Sequence, residues 1–124
     1  MEVLEIEGTF MTPHVVLNPT SKEFVLRGNS RPENPLAFFK PIFTWFENYL
    51  KISENTLIFN ISLDYFNTST SKILLDLFEF FENFNQNETK VHVIWHYHSD
   101  DEDMKEAGEE LFELVSISGE LKAI

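Results

Sequence analysis

The chain has 124 residues, with 21 acidic and 9 basic side chains and a formal net charge of −12. This length suits one domain, residues 1–124, and the acidic charge disfavours nucleic acid and anionic lipid as partners. No cysteine, no membrane-spanning apolar run and no secretory signal is present, which excludes disulfide and thiolate chemistry and leads us to expect a cytoplasmic protein without membrane insertion.

Three short apolar segments near the start of the chain predict strands. They span residues 3–6, 15–17 and 23–27, and turn residues separate them at Thr12-Pro13 and at 18–21. Strands this close in sequence, joined by turns, pair in antiparallel fashion. The start of the chain is therefore predicted to form an antiparallel ribbon.

An amphipathic helix is predicted after a polar connection at residues 28–34. Asn34 is a candidate N-cap, and Pro35 suits the first helical position. Apolar side chains then recur at intervals of three and four residues, at Leu36, Phe39, Phe43, Phe46 and Leu50. Because proline lacks an N–H and clashes with the preceding turn, Pro41 is expected to kink or restart the helix near Lys40.

A strand, a hydroxyl-rich segment and a helix follow one another at the centre of the sequence. Apolar residues alternate along the strand with a period of two, which indicates burial on one side, at Leu57, Phe59, Ile61 and Leu63. Residues 68–71 then read Thr-Ser-Thr-Ser. A helical stripe begins immediately afterwards, at Ile73, Leu74, Leu77, Phe78, Phe81 and Phe84. The four hydroxyls are therefore predicted to lie at a helix N-terminus.

The N-terminus of a helix favours an electronegative partner. Its first N–H groups lack partners within the helix, and the aligned peptide dipoles give it about half a positive charge. Capping by Asn67, Thr68 or Ser69 is the simplest interpretation of the segment. One cap needs only one side chain, however, so the other hydroxyls are left for modification or for a partner.

A second strand and helix follow in the C-terminal third. Val91, Val93, Trp95 and Tyr97 lie on one face of the predicted strand, and a right-handed crossover makes it parallel to the strand before it. The acidic residues 100–103 suit the start of a third helix, which directs Met104, Ala107, Gly108, Leu111 and Val115 inward. Residues 116–124 could add a last short strand.

The two central strands each have one apolar and one largely polar face. A sheet covered on both sides would show continuous apolar strands instead. The sequence therefore predicts an α/β fold, a single domain with a mixed sheet and about three helices packed mainly on one face. The open face is a candidate docking surface.

Four segments carry a resemblance to a known family: TPHVVLN, GNSRPENPLAFFKPIFTWFENYL, LDYFNTSTSK and VIWHYHSDDEDMKEAGEELFELV. In order and spacing they resemble the SiaC family of bacterial regulatory phosphoproteins, over nearly the whole chain. This family is similar in logic, and loosely in fold, to STAS-type anti-sigma factor antagonists. The resemblance implies a non-enzymatic partner-switching protein, phosphorylated on a threonine by an anti-sigma-type serine/threonine kinase and dephosphorylated by a PP2C-like phosphatase. In the best-known member the unphosphorylated form activates a diguanylate cyclase, which implies a part in cyclic-di-GMP and biofilm control.

The resemblance implies that Thr68 is the phosphoacceptor. Thr70 stands where the family usually has serine, and it could compete with Thr68. Lys72, one turn further on, could contact the phosphate. Tyr65 and Phe66 are either exposed anchors beside Thr68 or buried against the first helix. The partner-binding surface expected from these motifs comprises Tyr65, Phe66, Asn67, Ser69, Thr70, Lys72, Arg31 and Glu33.

Three histidines near an acidic run suggest a different chemistry. His92, His96 and His98 share a strand face close to residues 100–103. The run lacks the ligand spacing of an EF-hand, and no His-Glu-x-x-His motif is present, so we expect no metal and no other cofactor. The alternative functions are a small histidine- or metal-dependent hydrolase and a constitutive adaptor without phosphorylation. The absence of a recognisable arrangement of nucleophile, base and orienting group favours the non-enzymatic function.

Overall fold

The computed structural model describes residues 1–124 as six strands and three helices. The strands are β1 (Leu4–Ile6), β2 (His14–Asn18), β3 (Glu23–Ser30), β4 (Leu57–Phe66), β5 (Val91–Tyr97) and β6 (Ser118–Ala123). The helices are α1 (Pro35–Ile52), α2 (Thr68–Phe84) and α3 (Glu102–Leu114). None of these helices is both long and apolar enough to cross a membrane.

The six strands lie in one sheet in their sequence order, from β1 to β6. The first three are antiparallel, and β3 to β6 are parallel, so the predicted ribbon and the predicted parallel central pair are confirmed. Each crossover connection joins a strand to its neighbour, and all three connections step across the sheet in the same direction. Since such crossovers are right-handed, they bring all three helices to one face of the sheet, as predicted. The likeness to STAS proteins stays a prediction.

The core between the sheet and the helices is aromatic. Phe46 of α1 meets Phe59 of β4 and Phe81 of α2 edge to face, with ring centroids 5.1 and 4.9 Å apart. Edge-to-face pairs at such distances add to the free energy gained by burial alone. Five of the phenylalanines are essentially inaccessible, namely Phe39, Phe46, Phe59, Phe78 and Phe81. Several of the thirteen phenylalanines of the chain therefore stabilise the core.

Helix α1 differs from its prediction at two positions. It runs without a restart through Pro41, which is exposed, so a restart near Lys40 is wrong, and the alternative of a kink there stays a prediction. Leu36 was predicted to face inward but is 74% exposed, because the buried face of α1 is centred on Phe39, Ile42 and Phe46. A large apolar side chain is thereby left on the surface.

Strand β3 is longer than predicted. It continues through part of the polar connection to Ser30, which pairs with Phe66 of β4. The register shifts between Gly28 and Asn29, where Gly28 has a φ of 103° that favours glycine. Ser30 continues the inward alternation of Phe24, Leu26 and Gly28, so its side chain is buried. The extra residue at the shift is Asp64 of β4, which brings Phe66 opposite Ser30.

Candidate functional site

The predicted site residues lie at the edge of the sheet where the parallel strands end. Because β3, β4 and β5 are parallel, the turns that follow them meet at this edge, and each turn leads into a helix. The three helices begin there with the N-caps Asn34, Asn67 and Asp101. The edge therefore gathers three helix N-termini.

The first turn of α2 is built around Asn67. Its side-chain oxygen accepts a hydrogen bond of 2.9 Å from the backbone N–H of Thr70, and its carbonyl accepts one of 3.0 Å from Ser71. Asn67 is thus the cap, and the side chains of Thr68 and Ser69 are exposed on the first turn. The first turn of α3 contains two acidic residues, whereas that of α2 contains none. The positive end of α2 therefore remains free to favour an anion.

Thr70 is not available to a partner or to a kinase. Its side chain is 0% exposed, and its hydroxyl lies 2.9 Å from the hydroxyl of Ser30 and donates to the Ser30 carbonyl at 3.1 Å. The prediction that Thr70 belongs to the exposed surface, or competes with Thr68 for phosphate, is therefore wrong for this fold. Its hydroxyl instead joins the first turn of α2 to the end of β3.

We expect Thr70→Val to lower the free energy of unfolding by about 1–3 kcal/mol, because the near-isosteric change leaves the buried hydroxyl of Ser30 without its partner. Thr68→Val makes the same substitution two residues earlier at an exposed position, and we expect it to change stability by no more than about 0.5 kcal/mol. Urea unfolding of both variants measures the difference. Equal stability of the two variants would contradict a structural role for the Thr70 hydroxyl.

The turn after β3 lies directly beside the first turn of α2. The N–H of Asn67 donates to the Ser30 carbonyl at 3.1 Å, which brings residues 31–34 next to residues 67–69. Arg31 and Glu33, both exposed, lie in this turn, and Lys72 is exposed on the first turn and a half of α2. The structure thus brings together residues that are about forty positions apart in sequence.

Two further residues at this edge, Phe10 and Ser30, were not predicted from the sequence. The guanidinium of Arg31 lies over the ring of Phe10, 5.5 Å from its centroid, and Phe10 itself is 70% exposed. The N–H of Arg31 also donates to the carbonyl of Met11 at 2.8 Å, which holds the segment around Phe10 against this turn. The only sequence signal for Phe10 is its aromatic side chain in a polar segment between two predicted strands. Ser30 lies in the predicted polar connection and carries no such signal.

Tyr65 and Phe66 lie beside α3 and not beside α1. Tyr65 is 50% exposed, while Phe66 is partly buried and meets Trp95 edge to face at 5.9 Å. Both residues line a cavity of about 370 Å³. The remaining lining residues are Asp64, Asp101, Asp103, Met104 and Ala107. The predicted alternative of burial against the first helix is therefore wrong, and Tyr65 remains accessible.

The three histidines of β5 and its following turn each have a separate partner. His92 lies 2.6 Å from the Ser118 hydroxyl, His96 lies 2.9 Å from the side-chain oxygen of Asn60, and His98 lies 3.7 Å from Asp64. No group of three or more histidine or acidic side chains is arranged to hold a metal ion.

Partial burial lowers the pKa of His96 below its ordinary value. Lys122 lowers it further, whereas Glu120 acts in the opposite direction. A lowered pKa means that this imidazole stays neutral to a lower pH in the folded protein than in the unfolded chain. His96 therefore serves as a neutral hydrogen-bonding group on the open face of the sheet.

Comparison with known proteins identifies one family. A model of the SiaC family, described as regulatory phosphoproteins, matches residues 6–123. An uncharacterized protein of Pseudomonas aeruginosa is 30% identical over 123 residues, which are 99% of this chain and 98% of that protein.

Solved structures agree with this match. Apo-SiaC from Pseudomonas aeruginosa has 30% sequence identity and a TM-score of 0.89, over 99% of this chain and 100% of that one. A complex of the diguanylate cyclase SiaD with its activator SiaC, from the same organism, gives 30% identity and a TM-score of 0.90, over 98% of this chain and 99% of that one. The resemblance predicted from the motifs is therefore confirmed. The chain belongs to the SiaC family of regulatory phosphoproteins, and its role is regulatory rather than catalytic.

Proposed function

We propose that the protein is a partner switch controlled by phosphorylation of Thr68. One observation carries this proposal: Thr68 is an exposed hydroxyl in the first turn of α2, and that turn contains no acidic residue of its own. A phosphoryl group adds about −1.5 to −2 charges and three acceptor oxygens. The N-terminus of α2 can accept such a group without a change of fold.

Exposure and position favour Thr68 among the four hydroxyls of the segment. Thr70 is buried and hydrogen-bonded to Ser30. Ser71 is only partly exposed and follows the capped turn. Ser69 is exposed as well, and Thr68 is preferred to it because the phosphothreonine of the SiaC motif falls on Thr68. Lys72 lies four residues after Thr68, one helical turn away, and can approach the phosphate.

The switch requires three partners. We assign the phosphorylation to an anti-sigma-type serine/threonine kinase and its reversal to a PP2C-like phosphatase, which would place the protein in the cytoplasm. The output partner is a diguanylate cyclase that the unphosphorylated form binds and activates. The support is the complex in which SiaC of Pseudomonas aeruginosa is the activator of SiaD, together with the TM-score of 0.90. The consequence is control of cyclic-di-GMP and of biofilm formation.

A phosphopeptide map of the protein recovered from its own cells, with phosphatase activity blocked, tests the assignment. We expect one added phosphate in the intact mass and its position on Thr68. Thr68→Val, which keeps the shape of the side chain but lacks the hydroxyl, is expected to stay unmodified under the same conditions. Phosphate on Ser69 alone, or none in any growth phase, would overturn the Thr68 assignment.

A further inference from the structure

Strand β6 forms one edge of the sheet, with β5 on one side and no strand on the other. It pairs with β5 along its whole length, Ser118–Ala123. The strand at the opposite edge, β1, has only three residues. An edge strand presents a row of unpaired N–H and C=O groups that can pair with another chain. The free side of β6 is therefore a candidate interface.

The hydrogen bonds at the end of β6 show which residues have these unpaired groups. The N–H of Ile124, directly after the strand, donates to the Tyr97 carbonyl at 2.8 Å, and the Ile124 carbonyl accepts from the N–H of Ser99 at 3.3 Å. Both groups of Ile124 thus point towards β5. Because successive residues of a strand alternate in direction, the even-numbered residues of β6 also point towards β5. The groups that point to the free edge belong to Gly119, Leu121 and Ala123.

Two opposite charges lie on the open face of β6. Glu120 and Lys122 are both exposed there, two residues apart. The neighbouring titratable side chains on this face are two histidines of β5: His92 lies 3.9 Å from Glu120, and His96 has its pKa shifted in opposite directions by the two charges. Neither Glu120 nor Lys122 pairs with a lysine, an arginine or a carboxylate of the chain. Both charges are therefore available to a second molecule.

The charges select one register for antiparallel pairing of β6 with a second copy of itself. Since hydrogen-bonded pairs must join residues that point to the free edge, the two-fold axis passes through a residue and not between two residues. An axis at Glu120 or at Lys122 places two like charges directly opposite each other, which is destabilising. An axis at Leu121 places Glu120 of each copy opposite Lys122 of the other. These are non-hydrogen-bonded pairs, in which the side chains are closest.

We propose that two copies of the protein pair through β6 in this register, about a two-fold axis at Leu121. Gly119 of each copy then exchanges hydrogen bonds with Ala123 of the other, and Leu121 does so with its own equivalent, so every free group of the edge gains a partner. The two sheets become one continuous sheet with all helices on the same side. Pairing of a patch with itself closes after two copies, whereas pairing of β6 with β1 would continue from copy to copy.

The charges of α3 limit the strength of this dimer. Gly108 lies against Leu121, so α3 stands above the edge. The side of α3 that faces away from α2 contains Lys105 and Glu109, which are opposite in charge and meet the same two residues of the second copy across the axis. Two carboxylates lie further towards solvent on this helix, at Glu102 and Glu113. With the net charge of −12 they oppose association at long range, and salt screens charges more than about 8 Å apart. We therefore expect a dimer that dissociates on dilution.

The dimer leaves both proposed phosphoacceptor sites exposed. Strand β6 is parallel to β4, so the C-terminal end of β6 lies at the same edge of the sheet as the first turn of α2. In an antiparallel second copy that turn lies at the opposite edge. Phosphorylation of Thr68 should consequently leave the dimer unchanged, and the proposal does not rest on the switch.

Exchange of the two charges tests the proposal. Lys122→Glu and Glu120→Lys each turn both cross-strand pairs into like-charge pairs, so we expect either substitution to raise the dimer dissociation constant at least about tenfold. Glu120→Lys also lowers the net negative charge, so long-range repulsion cannot explain its effect. The variant with both substitutions restores opposite charges and should dimerise within about threefold of the original protein. Glu79→Lys, at an exposed position of α2, is the matched control and should leave dimerisation unchanged.

Two measurements give these results. Sedimentation equilibrium at protein concentrations up to about 1 mM gives the dissociation constants, and thermal unfolding checks that each variant is folded. Amide hydrogen exchange followed by NMR locates the interface residue by residue. The amides of Glu120 and Lys122 are bonded to β5 and should be protected at every concentration. Those of Leu121 and Ala123 should become protected only as the concentration rises.

The opposite outcomes are equally clear. A protein that stays monomeric up to about 1 mM would show that the charges of β6 guard the edge against pairing, and would overturn the proposal. A dimer that all three variants leave unchanged would place the interface elsewhere. Failure of the double substitution to restore the dimer would overturn the register, and oligomers that keep growing with concentration would indicate pairing of β6 with β1 instead.

Discussion

Phosphorylation of Thr68 is expected to weaken binding to the output partner at least about a hundredfold, which corresponds to about 2.7 kcal/mol. We expect the output partner to cover the first turn of α2. An apolar or acidic partner surface there would take the two negative charges of the phosphoryl group out of water at a cost of several kcal/mol, which Lys72 alone offsets only in part. The folded domain gains rather than loses by the modification. A negative group at the N-terminus of α2 contributes about 0.3–1 kcal/mol to stability, because the first turn of this helix contains no acidic residue.

Two measurements together distinguish this switch from a general disruption of the fold. Affinity for the cyclase should fall in the phosphorylated protein, while its thermal unfolding temperature should stay the same or rise. Thr68→Glu and Thr68→Gln form a matched pair that differs in charge but hardly in size, and only Thr68→Glu should reproduce part of the loss. Equal affinities for the two variants, or a phosphorylated protein that unfolds more easily and binds normally, would contradict the switch.

The architecture was largely predictable because its signals are local. Alternation along β4 and β5 is a period-two pattern that any strand buried on one side must show, and Asn34 and Asn67 cap their helices through contacts only three residues long. The position of Thr68 at a helix N-terminus is a consequence of these two signals. The proposal that Thr68 is a phosphoacceptor does not follow from them, since an exposed hydroxyl and a capping hydroxyl look alike in sequence.

Other features depend on contacts across the sheet that no local pattern encodes. The burial of Thr70 depends on Ser30, forty positions earlier, whose hydroxyl and carbonyl are the partners of the Thr70 hydroxyl. The exposure of Leu36 depends on the rotation of α1 about its axis, which Trp45 and Tyr49 fix by packing against Phe24 of β3. The five apolar residues of the predicted stripe are compatible with a buried face of α1 that includes Leu36 and with one that leaves it exposed. Their spacing alone could therefore not show whether Leu36 is buried.

The same limit applies to α3, where sequence periodicity identified Gly108 as inward but gave no reason for a glycine. The structure supplies one. A Cβ built on Gly108 would lie 2.6 Å from Nε1 of Trp95 and 2.7 Å from Cδ2 of Leu121, and it would also clash with Cδ1 of the same indole. These distances are well inside van der Waals contact. The glycine therefore allows α3 to approach the sheet closely enough for the Trp95 indole to donate to the Met104 carbonyl at 3.0 Å.

Gly108→Ala is expected to lower the free energy of unfolding by about 1–2 kcal/mol. Alanine gains about 0.5–1 kcal/mol in helix propensity over glycine, but overpacking a filled core costs about 1–3 kcal/mol and occasionally more. The clash prevails here because Trp95 is 0% exposed and cannot turn away without breaking its hydrogen bond to Met104.

A double-mutant cycle in urea unfolding assigns the loss of stability to this contact. Trp95→Phe removes Nε1 and leaves a smaller ring, which relieves part of the clash, so Gly108→Ala should destabilise that background by about 1 kcal/mol less than it destabilises the original protein. Glu106→Ala, at an exposed position of the same helix, should change stability by no more than about 0.5 kcal/mol. A gain of stability in Gly108→Ala would mean that helix propensity prevails and that α3 does not lie so close to β5. That result would also remove the support for the cavity beside Tyr65, one wall of which is the N-terminal half of α3.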